Sequence, residues 1–270
     1  MMITRRTFVR GLLATSAVAA GGTLLLDYGA NTHELDVPVV RLSLGLSNPL
    51  RMVVLGDIHF DPVRDEAYMD HVAQSITRLQ PDLVVYTGDF VSHRVTRVYD
   101  LARLLAKAVS RYGSFAALGN HDYWAGVEAV KHALEKNGVR ILRNQSFALP
   151  DQEACFLTGL DSFWAGYPDL SVFSRTPKNS RHIVVAHEPD SFSLMNGDPR
   201  VRLQVSGHTH GGQIRVPVIG PLLLPKWGKH YPEGLFQQRD SYLYVNRGVG
   251  TLFPHIRCYC PPELTLFQLS

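Results

Sequence analysis

The chain has 270 residues, 45% of them hydrophobic and 19% charged, enough to bury a full-sized core and too apolar for a disordered chain. With 22 glycines without a collagen period and only three cysteines, it is neither a fibrous protein nor a small disulfide scaffold. The formal net charge is +3, yet the first thirty residues hold Arg5, Arg6 and Arg10 against Asp27, which leaves 24 basic and 23 acidic side chains elsewhere; no nucleic-acid partner is indicated, because the body lacks the positive field such binding requires.

The N-terminus reads as an address. Met1 to Arg10 is short and basic, and Gly11 to Leu26 is an uncharged run of sixteen residues, below the roughly 20 that a spanning helix needs. Within it, Thr4-Arg5-Arg6-Thr7-Phe8-Val9-Arg10 resembles a twin-arginine export signal. Ala17-Val18-Ala19 has the form of a cleavage site but lies inside the apolar run, so a removed signal and a retained N-terminal membrane anchor both fit. Export by the twin-arginine machinery would place the protein in the periplasm or on the outer face of the inner membrane. Residues 1–30 are thus set apart from a single domain over 31–270.

Beyond the leader, short apolar runs alternate with stretches of helical period. Strands are predicted at Arg51 to Leu55, Asp82 to Thr87 and Ser114 to Leu118, each followed by a helix, at Glu66 to Leu79, Tyr99 to Ser110 and Val127 to Lys136. From Val139 the pattern turns to strands: Val139 to Leu142, Phe147 to Leu149, Cys155 to Leu160, Ile183 to Ala186 and Leu203 to Val205, with a helical stretch near Ser191. Gln213 to Val218, Gly234 to Gln237, Tyr242 to Val245 and Leu264 to Leu269 complete the series. Ile256 to Cys260 also reads as a strand, with Cys258 and Cys260 on one face; with Cys155 they are expected as buried small hydrophobes. The rhythm is that of an α/β protein with two sheets and flanking helices.

Ionisable residues gather where these runs stop. Arg51 to Leu55 ends in Gly56-Asp57-Ile58-His59, Asp82 to Thr87 in Gly88-Asp89, Ser114 to Leu118 in Gly119-Asn120-His121-Asp122, Ile183 to Ala186 in His187, and Leu203 to Ser206 in Gly207-His208-Thr209-His210. In open α/β sheets, ligands bind outside the carboxyl ends of strands, so five such ends can share one edge. Several of these ends carry a glycine, which lets the backbone turn sharply where a bound ion leaves little room. Imidazole, carboxylate and carboxamide donors without a thiolate suit manganese, iron or zinc. Seven donors are too many for one catalytic ion, so two divalent ions are implied, with a carboxylate able to bridge them.

These five blocks, in this order, resemble the calcineurin-like metallophosphoesterase superfamily. Gly211-Gly212-Gln213, Arg247-Gly248-Val249-Gly250 and the leader extend the likeness to its twin-arginine-exported bacterial phosphodiesterases. The resemblance implies a four-layer α/β/β/α sandwich of two mixed sheets flanked by helices. It also implies one ion on Asp57, His59, Asp89 and His210, and a second on Asp89, Asn120, His187 and His208. His121 would be the catalytic residue that is not a ligand, placed by the leaving-group oxygen, with Asp122 as its supporting partner. The implied reaction is direct hydrolysis of a phosphodiester, a hydroxide between the ions attacking phosphorus in line with no phosphoenzyme. The substrate class is a small phosphodiester or a nucleotide-linked compound. The alternative is a UDP-2,3-diacylglucosamine pyrophosphohydrolase-like enzyme of lipid A synthesis, which would need an apolar groove. A phosphomonoesterase would need an Arg cluster that the motifs lack, and a non-catalytic metal-binding protein would be expected to have lost a ligand or the acid.

Other residues carry weaker signals. His93 and Arg94 follow Asp89 closely and are expected in a solvated loop; His71, His132 and His230 are expected at the surface. Trp124, Trp164, Trp227 and Tyr231 read as core aromatics that also suit a substrate wall. The resemblance alone makes Arg247 and Gln213 candidates for substrate contact. The Pro/Leu-rich run Val218 to Pro225 would either pack the site or touch a membrane.

Overall fold

The computed structural model describes residues 34–60 and 66–270. The leader, with its twin-arginine motif and the choice between cleavage and anchoring, lies outside the described residues. The elements are β1 (Val39–Leu42), β2 (Leu50–Leu55), α1 (Glu66–Arg78), β3 (Leu83–Tyr86), α2 (Val98–Leu105), β4 (Ser114–Ala116), α3 (Asn120–Lys136) and β5 (Val139–Ile141), followed by β6 (Gln145–Ala148), β7 (Cys155–Gly159), β8 (Arg181–Val185), β9 (Val201–Ser206), β10 (Arg215–Val216), β11 (Gly220–Pro221), β12 (Gly234–Gln238), β13 (Ser241–Val245) and β14 (Thr265–Leu269). No described helix is long and apolar enough to cross a membrane.

Two six-stranded sheets form, in the orders β1-β14-β2-β3-β4-β5 and β12-β13-β9-β8-β7-β6. Both are mixed: β14 runs antiparallel to β2, and β6 and β12 run antiparallel to their neighbours, while the central strands are parallel. Their inner faces meet in one core, where Met52, Val54, Val85, Phe115 and Phe267 pack with Leu157, Ile183, Val185, Leu203 and Val205. Strands buried on both faces read as continuous apolar runs, and Met52 to Leu55 and Leu83 to Tyr86 do so.

The three α-helices among the described residues cover the outer face of the first sheet. In α1, Tyr68, Met69, Val72, Ala73 and Ile76 are buried at helical spacing, and Glu66 in the first turn and Arg78 in the last suit the helix dipole. The outer layer on the second sheet is thinner, made by 3-10 turns at Leu170–Arg175 and Pro189–Leu194 that bring Val172, Phe173 and Phe192 over Val184, Leu243 and Val245. The expected sandwich of two mixed sheets with helical flanks is the observed architecture.

Three local readings change. Helix α3 begins at Asn120 instead of Val127, because the Asp122 carboxylate accepts the Gly119 N–H and caps the turn. Gln213 to Val218 yields only a two-residue ladder, since Gln213 takes a φ of 55° and Pro217 has no N–H to donate. Ile256 to Cys260 is irregular, with a single bridge from Cys258 to Ile214 and Tyr259 at a φ of 50°, although both cysteines are buried as expected.

Candidate active site

Register decides where the motifs arrive. Leu55 lies opposite Tyr86 and Tyr86 opposite Ala116, so the chain leaves β2, β3 and β4 at one level. Val185 opposite Val205 does the same for β8 and β9 in the second sheet. Asp57, His59, Asp89, His187, His208 and His210 therefore meet, all buried, in overlapping clusters: Asp57, His59 and His210 in one, Asp89, His187 and His208 in another, and His59, Asp89 and His121 between them, with donor atoms in each within 4.8 Å.

The backbone pays for this convergence. Asp57, His59, Asp89, His208 and His210 all adopt φ values between 47° and 74°, the left-handed region that side-chain-bearing residues avoid at a cost of about 1–3 kcal/mol each. Two glycines are fixed by neighbouring carboxylates. A Cβ on Gly119 would lie 2.1 Å from Asp89 Oδ1, and one on Gly207 would lie 2.3 Å from Asp57 Oδ2. The expected crowding by an ion is thus, at these two positions, crowding by a carboxylate.

Asp89 sits at the junction. Its Oδ2 is 3.2 Å from His187 Nε2 and 3.6 Å from His59 Nε2, and its Oδ1 accepts the His121 backbone N–H at 2.8 Å. Asp57 accepts the His208 N–H with both oxygens, at 2.8 and 2.9 Å, and lies 3.6 Å from His210 Nε2. His59 and His210 meet at 3.1 Å through their Nε2 atoms, and His187 Nε2 meets His208 Nδ1 at 3.2 Å. On their far sides, His187 Nδ1 donates to the Thr87 carbonyl at 2.9 Å and His208 Nε2 to the Lys226 carbonyl at 2.7 Å. A ring N–H held by a carbonyl fixes the tautomer and turns the other nitrogen's lone pair inward, the usual support for a metal-ligating histidine.

Electrostatics put Asp89, His208 and His210 in the forms that reading needs, while His187 holds a proton that a cation must displace and Asp57 is raised. Burial works against the Asp89 charge, but His187, His59 and His121 outweigh it and hold the carboxyl below the usual range. Burial likewise opposes charge on His187, yet Asp89 and Asp57 raise it to about 10. Burial pushes His208 down to about 3, with His187 adding to the effect, and His210 falls well below its ordinary value for the same reason, with His59 adding to it. Burial raises Asp57 to about 7. Ionised Asp89 and neutral His208 and His210 are the forms that coordinate cations. Asn120 adds a direct fit test: its Oδ1 is buried with no hydrogen-bond partner, an orphan acceptor that a cation would satisfy.

His121 opens α3 half-buried, and its Nδ1 is 2.7 Å from the Ser92 carbonyl, which leaves Nε2 for a substrate. Asp122 is buried and holds three amides in place, from Gly119, Asp89 and Phe90, at 2.8–2.9 Å. It supports the Asp89 turn as well as the helix start, and makes no bond to the His121 ring; burial and the nearby Asp89 raise it to about 7. Trp124 packs 4.8 Å from His121 and 5.0 Å from Trp164, which in turn lies 5.6 Å from His208, so these two indoles wall one side of the site. Tyr231 is core, and Trp227 packs on Phe163. His71, His93, Arg94, His132 and His230 are exposed.

Arg247 and Gln213 are both engaged within the protein, and Gln213 also lines the groove that starts at His208 and His210. Arg247 is held by Glu263 and Asp36, and Gln213 ties down the 252–254 loop through the Leu252 N–H and the Leu252 and Pro254 carbonyls. Two residues escaped sequence reasoning. Arg257 is fully buried and donates to the carbonyls of His210, Arg247, Gly248, Gly250 and Cys260. Glu188, next to His187, accepts from the Ser162 hydroxyl and from the Phe163 and Trp164 amides, and so places the Trp164 wall. Neither sits in a motif; an acid directly after a strand-end histidine was the only sequence signal.

A family model for calcineurin-like phosphoesterases matches residues 50–212. The chain is 33% identical to the uncharacterized metallophosphoesterase YkuE of Bacillus subtilis, over 99% of this chain and 98% of that protein. It is 31% identical to the phosphodiesterase YaeI of Escherichia coli, over 99% and 100% of the two chains. The similarity to the UDP-2,3-diacylglucosamine pyrophosphatase LpxG of Chlamydia muridarum is 26% over 97% and 98%. With the family model matched across the strand ends that carry the clustered aspartates and histidines, the chain belongs to the calcineurin-like phosphoesterases and is a metal-dependent phosphoesterase.

Proposed function

We propose that the chain hydrolyses phosphodiesters with two divalent ions, manganese, iron or zinc, in the cell envelope. The observation that carries this reading is the position of Asp89, whose Oδ2 faces His187 on one side and His59 on the other. One ion would be held by Asp57, His59, Asp89 and His210, the other by Asp89, Asn120, His187 and His208. When bound, such a pair supplies a water acidified to hydroxide and positive charge for the phosphoryl oxygens.

The chain's own residues do the rest. Asp89 is kept ionised by its imidazoles, and Asp122 keeps it oriented through the Asp89 amide. His121, anchored by Ser92 through Nδ1, turns Nε2 toward the leaving oxygen, the position from which a doubly protonated ring would donate. Trp124 and Trp164 flank the group attached to phosphorus. A diester is favoured over a monoester because the arginines behind the site are committed: Arg247 to Glu263 and Asp36, Arg257 to backbone carbonyls. A dianionic phosphate would lack its extra cation.

A second reading has its own observation. A groove of about 450 Å³ starts at His208 and His210 and runs between Leu222–Pro225 and Leu252–Pro254. Such an apolar channel suits the acyl chains of a UDP-2,3-diacylglucosamine-like pyrophosphate, the substrate type named for LpxG. A panel of diesters, monoesters and UDP-diacyl sugars on the metal-loaded protein separates the readings. Faster turnover of monoesters than of diesters would overturn the first, and preference for the UDP-sugar would install the second. The envelope location rests on the twin-arginine motif; replacing Arg5 and Arg6 with Lys should strand the protein in the cytoplasm.

A further inference from the structure

The β10–β11 hairpin is built against the chemistry of a soluble turn. Its tip is Pro217-Val218-Ile219, where hairpins usually take Gly, Asn or Asp. Val218 is β-branched, holds a φ of 73°, and is 108% exposed. Ile219, Leu222 and Leu223 follow it at the surface, and Phe253, 89% exposed, stands on the facing loop. Leu222, Leu223 and Phe253 of this cluster also line the groove that starts at His208 and His210. Monomeric soluble proteins rarely expose a contiguous apolar patch of this kind without an occupant.

Charge tells which occupant. From Ile214 to Pro232 there is no carboxylate, and none from Leu252 to Pro262. Lys226 and Lys229 are exposed beside the apolar run and form no ion pair among the described residues. The nearby carboxylates are engaged, Asp190 by the Lys229 and His230 amides and the His230 ring and Glu233 by Arg215, so an apolar tip beside two lysines without ion-pair partners matches an anionic bilayer, where the side chains enter the acyl boundary and the lysines meet the headgroups. A second copy docked on the same patch would bring like charges together.

We infer that the Val218–Leu223 hairpin and Phe253 seat the protein on an anionic lipid surface, with the groove mouth facing the membrane. Resting on the phosphodiesterase reading above, this assigns a substrate whose phosphodiester reaches His208 and His210 while its alkyl chains remain in the bilayer.

The three native cysteines are buried, so a cysteine placed at Ile219 in the full chain can be labelled selectively with an environment-sensitive fluorophore. Val109→Cys, exposed in the loop that enters β4, where Arg111 and Tyr112 bond back to Pro81 and Asp82 at the end of the strands opposite the site, is the control for any tether supplied by residues 1–33. On phosphatidylcholine vesicles containing phosphatidylglycerol, the label at 219 should shift to the blue and be quenched by spin-labelled acyl chains, and the label at 109 should not. Omitting phosphatidylglycerol, or Lys226→Gln with Lys229→Gln, should weaken the response. Val218→Asp with Ile219→Asp should leave hydrolysis of a soluble aryl diester unchanged and slow hydrolysis of a vesicle-borne lipid diester roughly tenfold or more.

Equal response at both positions, no response at 219, or a label at 219 already shielded from iodide before vesicles are added would overturn the inference; the last would mean that a second copy or residues 1–33 cover the hairpin. The fluorescence arm needs no turnover. It therefore stands or falls separately from the phosphodiesterase reading, which the soluble diester tests.

Discussion

His187 and His208 face each other nitrogen to nitrogen at 3.2 Å, while carbonyls of Thr87 and Lys226 hold their opposite nitrogens. Two lone pairs cannot be left in that geometry, so a proton or a cation must lie between them. With Asp89 beside it, His187 takes the proton when no cation competes, because Asp89 and Asp57 outweigh the cost of burying the charge. Metal uptake must displace that proton.

Cation binding should therefore release protons and weaken as pH falls. His208→Ala should lower affinity at one site by at least roughly 10–100-fold and spare the other, with His210→Ala doing the converse and Asp89→Asn weakening both. Elemental analysis and calorimetry read this out. One ion per chain in fully active protein would contradict the two-site arrangement.

Arg257 makes a different demand. Its guanidinium is buried among carbonyls of His210, Arg247, Gly248, Gly250 and Cys260, with no carboxylate bonded to it among the described residues. A lysine keeps the charge but cannot reach in several directions from one plane. Arg257→Lys should cost about 2–4 kcal/mol of stability, since more than one buried acceptor loses its donor. Cation binding should loosen at the Asp57, His59 and His210 end first. Urea unfolding and metal titration check this, and a variant as stable as the parent would show that water replaces the guanidinium.

Why Arg257 was invisible in the sequence is a matter of distance along the chain. The five strand ends were legible because each puts its ionisable residue directly after an apolar run, so periodicity alone marks Asp57, Asp89, Asn120, His187 and His208. Arg257 acts on carbonyls up to 47 residues away, and backbone carbonyls leave no trace in residue type. Gln213 and Arg247 were candidates for substrate contact through the resemblance alone, and their partners Leu252, Asp36 and Glu263 become neighbours only through folding. Val218 to Pro225 was undecidable for the same reason: an apolar run reads alike whether it is packed or exposed. The early start of α3 depended on a side chain, Asp122, capping backward across the turn.

Away from the site, His182 on β8 gives a pH signature of folding. It is buried, and its ring meets Thr158, Ser180 and Thr176 at 2.7–3.1 Å. Burial, with Arg200 nearby, lowers it to about 4. The unfolded chain therefore binds a proton below pH 6.5 that the folded chain refuses, so this contribution is complete above pH 6.5 and disappears as pH falls through 4. The loss should be about 2–3 kcal/mol. Because Asp57 and Asp122 titrate in the opposite sense in metal-free protein, the quantity to measure is wild type minus His182→Gln, by urea unfolding of the metal-loaded forms. A difference independent of pH between 4 and 6.5 would show that the folded protein accommodates the charged imidazole.

The role of His121 is the sharpest question the site poses, because its ring lies close enough to His59 and Asp89 to count as a third ligand set. The bond from Nδ1 to the Ser92 carbonyl leaves Nε2 facing the cleft beside Trp124, where it serves a ligand as a lone pair or an acid as an N–H, so the geometry alone does not choose. As an acid, His121→Ala should keep its metal and lose roughly 10²–10⁴ in turnover of a diester with a poor leaving group, the usual worth of general acid catalysis. An aryl diester departs without needing the proton, so the same change should slow it far less. A lost ligand acts differently: it weakens the cation and slows both substrates together. Metal content and the ratio of the two rates, measured on one preparation, therefore decide the matter, and equal slowing or a fall in metal content would make His121 a ligand.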